Sequence, residues 1–246
     1  MLADQVEHSD NGQLTGGIEV DSSVKAVIEF IEIHFPRFSE KIKGDTTASE
    51  KAITDKLCKY FNRQAGSYPF QFHHENVEDH TSGKSPQTDM GTLSREEQIT
   101  VDDRVYGEWD SYFSIEAKRL PTLGHNREKE YIIGYDKPNG GMERFKKGIH
   151  GKNLKYAAII AYVQKENFDY WFLQINEWIN DLVKISHGDW TDEDKLRKSG
   201  THSTVKLARF ESDNIRLPIT PEPQKTRLFH FWISVVEKTE VDHRPN

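Results

Sequence analysis

Val24, Val27, Ile28, Ile31 and Phe35 recur at helical spacing after the N-cap candidates Asp21-Ser22-Ser23, and Pro36 is expected to end the run. A second helix is expected over 46–62, with Ile53, Leu57 and Phe61 as its apolar stripe. Glu50 lies on that same stripe. Either it closes a capping box with Thr47, or it aims a carboxylate at a site beneath the helix end. Tyr68, Phe70, Phe72 and His74 alternate with Pro69, Gln71 and His73, the pattern of a strand in an antiparallel setting. Adjacent histidines on a strand face opposite ways, so His73 and His74 do not share an ion. A short strand is expected at Thr88–Leu93, and 94–110 reads as a loop or irregular hairpin.

The stretch Ser111–Leu120 is the centre of the pattern. As a strand it turns Phe113, Ile115 and Ala117 to one face and Tyr112, Ser114, Glu116 and Lys118 to the other. A carboxylate and an ammonium then stand side by side near its end. Beyond it, Tyr131–Tyr135 is expected to be a strand, and Pro138–Lys147 to start a basic helix. The continuous apolar run Tyr156–Val163 has the length of a buried strand. Asn167 caps a helix whose one side carries Phe168, Trp171, Phe172, Ile175, Trp178, Ile179 and Leu182. A charged linker at 187–200 and strands at Thr204–Phe210, Ile215–Pro218 and Arg227–Val236 complete the chain. Residues 1–20 lack periodicity and are expected to be a flexible tail, leaving 21–246 as one domain.

Composition narrows the chemistry. Cys58 is the only cysteine among 246 residues, which removes a disulfide framework and a multi-thiolate zinc site within the chain. No apolar run reaches membrane-span length and no signal-like N-terminal pattern is present, so no membrane association and a cytoplasmic location are expected. The net charge of −7 argues against a uniformly basic surface, but the charge is segregated. Residues 75–110 hold ten acidic and three basic side chains, whereas 116–155 hold ten basic and five acidic. No glycine-rich phosphate loop and no repeat is found.

Glu50 on a helix, Thr88-Asp89 at a short strand and Glu116-Ala117-Lys118 on the central strand occur in an order that resembles the PD-(D/E)xK nuclease superfamily, with Arg119-Leu120 and Gly141-Met-Glu-Arg144-Phe145 similar to standalone bacterial restriction and defence nucleases. The resemblance spans roughly residues 45–165. It departs from the superfamily pattern in the Thr before Asp89 and in an insert of 26 residues before Glu116, which leaves Asp102, Asp103 and Asp110 as rival first acids. The resemblance implies an α/β, restriction-endonuclease-like fold: a central mixed β-sheet flanked by helices, with the site at one end. It implies a Mg²⁺-dependent DNA endonuclease, Mn²⁺ substituting, in restriction or antiphage defence. Asp89 and Glu116 would hold the metal, and Glu50 and Lys118 would complete the catalytic set. Arg144, Lys146, Lys147 and Lys152, with Lys155 beside them, would contact the DNA backbone. The alternative is an inactive nuclease-like module that binds nucleic acid or assembles with other subunits. A partner protein subunit and self-association both stay open.

Overall fold

The computed structural model describes residues 20–44, 48–78, 85–124, 126–185, 190–199, 206–216 and 225–236. Two helices come first, α1 (Ser22–Ser39) and α2 (Glu50–Gln64). Asp21 caps α1 by accepting the Ser23 N–H at 2.8 Å. Pro36 lies inside α1, contrary to expectation. A proline costs a helix its own N–H bond and crowds the carbonyl four residues back, but here buried Phe35 and Phe38 on either side of it hold the last turn to the core. Helix α2 starts later than its pattern suggests. Its N-cap is Ser49, whose hydroxyl accepts the Ala52 N–H. Thr46 and Thr47 lie outside the described residues.

Among the described residues nine strands follow, seven of them in one sheet. Strands β1 (Phe70–Val77), β2 (Gln87–Ser94) and β5 (Ser111–Leu120) form an antiparallel meander. The insert between β2 and β5 folds as its own hairpin, β3 (Gln98–Val101) with β4 (Arg104–Gly107). A short helix, α3 (Gly141–Lys146), crosses from β5 to β6 (Tyr156–Val163), which pairs parallel to β5. Helix α4 (Phe168–Lys184) and a 3₁₀ turn at Asp192–Asp194 lead into β7 (Arg197–Lys198), β8 (Leu207–Ile215) and β9 (Lys225–Ser234). The order across the sheet is β1-β2-β5-β6-β9-β8-β7, with β6 parallel to β9 and the outer pairs antiparallel. The sheet is therefore mixed, as expected. Every residue of β6 is buried, because neighbours flank it on both edges and helices cover both faces.

Two cores lie on opposite faces of this sheet. Helices α1 and α2 pack Phe30, Phe35, Leu57 and Phe61 over Phe113, Ile115, Ala117, Ile160 and Phe231. Helices α3 and α4 pack Met142, Phe145, Trp171, Ile175 and Ile179 over Leu120, Ile159, Ala161 and Trp232. The second face includes a buried polar chain: Trp232 Nε1–H donates to the Tyr131 hydroxyl (2.9 Å), which meets His230 Nδ1 (2.7 Å), and His230 Nε2 meets the Ser212 hydroxyl (2.9 Å). Burial holds His230 down at about 3, so the ring stays neutral.

Tyr131–Tyr135 is not a strand. It is a turn whose carbonyls cap α3: the amides of Gly141, Met142 and Glu143 donate to Glu130, Tyr131 and Ile132 O at 2.9, 3.2 and 2.9 Å. That approach requires glycine, since a Cβ on Gly140 would lie 2.3 Å from the Ile132 oxygen. The expected strand at 215–218 is instead the end of β8, and 217–218 lie outside the described residues. The linker at 187–200 contains the 3₁₀ turn and β7, while 186–189 and 200 lie outside the described residues.

Candidate active site

The site forms where β2 leaves β5. The ladder between them ends at Met90↔Ile115, yet β5 runs on to Leu120 with only β6 beside it. Alternate amides of a strand face the same edge, so beyond Ile115 the N–H groups of Ala117 and Arg119 lose their strand partner. Carboxylates replace it. Asp89 Oδ2 accepts the Ala117 N–H at 2.7 Å, and Glu50 Oε2 accepts the Arg119 N–H at 2.9 Å. Glu50 is thus no capping-box residue; from the first turn of α2 it reaches the exposed edge of β5.

Glu116 and Lys118 point to the α3 face. Lys118 Nζ donates to Glu116 Oε1 at 2.7 Å and lies 3.7 Å from Glu50 Oε1. Both side chains are almost fully enclosed, Glu116 at 1% and Lys118 at 4% exposure. Gly141 opens α3 directly against the Lys118 stem, and a Cβ there would stand 3.3 Å from Lys118 Cε. The structure thus brings Glu50, Asp89, Glu116 and Lys118 together from α2, β2 and β5.

The electrostatics are unbalanced. Burial pushes the Asp89 carboxyl up to about 8, with the Glu116 charge adding to the shift. Glu50 is also raised, by burial opposed by Lys118. Burial alone would raise Glu116, but Lys118 and Arg144 outweigh it and hold the group below the usual range. Lys118 behaves in the mirror sense: burial disfavours its charge, but Glu116, Glu50 and Asp89 together raise it, so it remains an ammonium. Glu116 Oε2 is buried and accepts no hydrogen bond. A buried anionic oxygen left without a donor marks a place where a cation or a donor belongs.

Sequence reasoning missed His150 and gave Arg144 a different place. Arg144 was expected on the DNA backbone; its Nη1–H donates to Glu116 Oε1 at 3.1 Å and also to His150 Nε2 at 3.1 Å. His150 lies 3.6 Å from Glu116 Oε2, and burial lowers it to about 4, so it is a neutral acceptor for Arg144. Gly148 (φ 61°) and Gly151 (φ 55°) bracket a tight reversal that presents His150 inward. That pair of glycines was the available signal. Glu78, at the end of β1, ties this turn down: it accepts the Gly151 N–H at 2.6 Å and the Ser114 hydroxyl at 2.9 Å. Burial raises Glu78 to about 7. Arg216 anchors the same turn, donating to the carbonyls of Phe145, Gly151 and Lys152.

The basic set divides. Lys146 does not face a phosphate backbone. It is buried, bonded to both oxygens of Asp194 at 2.8 and 2.9 Å and to Ile215 O, because its position on α3 turns it toward β8. Lys147 is half exposed and paired with Glu143 at 2.6 Å, and Lys152 is exposed. Lys155 bridges Asp102 and Asp103 at 3.4 and 2.9 Å. Those two rival acids therefore sit on the β3–β4 turn in exposed ion pairs. Asp110 accepts the Gly107 N–H. Asp89 is the acid beside Glu116.

Among the described residues no group of three or more His, Cys, Asp or Glu side chains is arranged to hold a metal ion, and no helix is long and apolar enough to cross a membrane. No family model, curated protein or solved structure matches this chain.

Proposed function

We propose that the protein is a divalent-cation-dependent phosphodiester hydrolase, a DNA endonuclease of the restriction and defence type. The observation that carries this reading is the convergence of Glu50, Asp89 and Glu116 with a buried Lys118 where β5 runs on past the end of its ladder with β2. Core packing has no use for three carboxylates there: each costs desolvation, and one Glu116 oxygen is left unpartnered. The chain order α2, β1–β2–β5 meander, α3 and parallel β6 also agrees with the fold that the nuclease resemblance implies.

The donor set suits Mg²⁺ or Mn²⁺. Hard oxygen ligands are required, and Mg²⁺ is commonly held by only one or two carboxylates while keeping its waters. Asp89, raised by burial and by the Glu116 charge, and Glu116, through its unpartnered oxygen, would hold the ion. When bound, it would neutralise phosphoryl oxygens and acidify a water. Lys118, fixed by Glu116 and Glu50, stabilises negative charge developing on the phosphoryl group, since its own surroundings keep it from serving as a base. Arg144, partly exposed and oriented by neutral His150, offers a second cationic donor to the same oxygens.

The second reading is an inactive nucleic-acid-binding or assembly subunit. It draws on Glu116 Oε1, which already takes both Lys118 and Arg144. Cleavage of plasmid and single-stranded DNA with Mg²⁺ or Mn²⁺ separates the two. Glu116→Gln and Lys118→Ala should each cut the rate by about 10³-fold or more while the fold is retained. A folded variant cleaving at the wild-type rate rules out this assignment, and a wild-type chain inert with either ion favours the second reading.

A further inference from the structure

Beside the carboxylates lies a cleft of about 570 Å³, between the β3–β4 hairpin and the turn at 148–154. The volume falls in the roughly 300–1,000 Å³ range of small-molecule sites. Its floor includes Ser114 and Glu78. Ser114 stands two residues before Glu116 on the same face of β5, a separation of about 6–7 Å along the strand. The opposite wall ends at Gly151, next to His150. The cleft and the carboxylate cluster are thus adjacent compartments along one strand face.

The lining indicates what the cleft holds. Trp109 stands at its rim with 70% of its surface exposed. The turn that carries it is held at both ends, by Asp110 N–H donating to Gly107 O and Gly107 N–H donating to the Asp110 carboxylate, each at 3.0 Å. The backbone that carries the indole to the rim is therefore fixed. Among the described residues the lining carries both signs, Arg104 and Lys152 beside Glu78 and Asp110, and no cluster of cations. A site built for an additional phosphate would gather positive charge. A mixed, hydrogen-bonding cleft with an aromatic at its mouth suits a neutral, planar ring.

We propose that this cleft receives one unpaired nucleobase next to the scissile phosphate, stacked on Trp109, so that the substrate is single-stranded DNA or a duplex with an extruded nucleotide. The proposal rests on the nuclease reading for its substrate class and deepens it by naming strand state. A base within an intact duplex is stacked on both faces and does not reach a cleft of this kind without flipping out. Base–aromatic stacking is tolerant of sequence, so the cleft selects for an unpaired base and not for its identity.

The test uses the full chain in EDTA, where nothing is cleaved, and a short oligonucleotide carrying one 2-aminopurine, as a single strand and as a duplex. Wild type should bind the single strand at least tenfold more tightly and change the 2-aminopurine emission. Trp109→Ala should lose roughly tenfold or more of single-strand affinity along with that emission change. Trp109→Phe should stay within about threefold of wild type. Equal binding of both strand states, or a Trp109→Ala chain that binds the single strand like wild type, overturns the proposal. Cleavage with Mg²⁺ is scored separately. Trp109-dependent binding without cleavage sustains the cleft and removes the nuclease reading, whereas cleavage with Trp109-independent binding removes the cleft alone.

Discussion

Asp89 should make the metal-free protein less stable, and increasingly so as the pH rises. Its folded-state value is about 8, against about 3.9 for an unfolded aspartate. Between those values the folded chain keeps a proton that the unfolded chain gives up. Stability contributed by that proton is complete below about pH 4 and is lost as pH rises through about 8, at about 1.4 kcal/mol per unit. At pH 7 three units of that window have passed, an upper bound on the order of 4 kcal/mol. Asp89→Asn keeps an oxygen to accept the Ala117 N–H and removes the charge. In EDTA the variant should therefore exceed wild type in urea unfolding by little near pH 4 and by about 2–4 kcal/mol at pH 7. Glu78, at about 7, titrates in both proteins and cancels in the difference. Mg²⁺ should stabilise wild type and leave Asp89→Asn unmoved. A variant no more stable than wild type at pH 7, or a difference that does not change with pH, would show that Asp89 is not a carboxyl raised by burial.

Asp194→Ala strands the buried Lys146 ammonium and should cost about 3–5 kcal/mol in chemical denaturation, while Lys146→Met with Asp194→Leu recovers most of it; a single change costing under about 1 kcal/mol contradicts the buried pairing. For DNA binding by Glu116→Gln protein over a salt series, Lys146→Met should leave the slope of log affinity against log salt unaltered. In the same series Lys147→Ala with Lys152→Ala should lower the slope by about 1.4 on single strands, and an unchanged slope would place the phosphates elsewhere.

Periodicity alone determined most of the elements. The stripe of α2, the alternation in β1 and β5, the apolar run of β6 and the Asn167 cap of α4 are local properties, because each needs only neighbours along the chain to express itself. The order of Glu50, Asp89, Glu116 and Lys118 was legible for the same reason, as each occupies a readable position on its own element. What the chain could not express locally was decided by packing between elements. Tyr131–Tyr135 has strand-like residues, yet its carbonyls are recruited to cap α3. Lys146 and Arg144 lie two residues apart on one basic helix, yet one is drawn to Asp194 beneath β8 and the other to Glu116. Only the tertiary structure could separate them, since the buried carboxylates that claim each cation lie 48 and 28 residues away along the chain. The same holds for His150, whose role depends on Glu78 and Arg216 pinning its turn against β5 from opposite ends of the chain. A strand pattern reveals which way a side chain faces, but the loss of β2 at Ile115, which opens the edge that Asp89 and Glu50 fill, exists only once the sheet has formed.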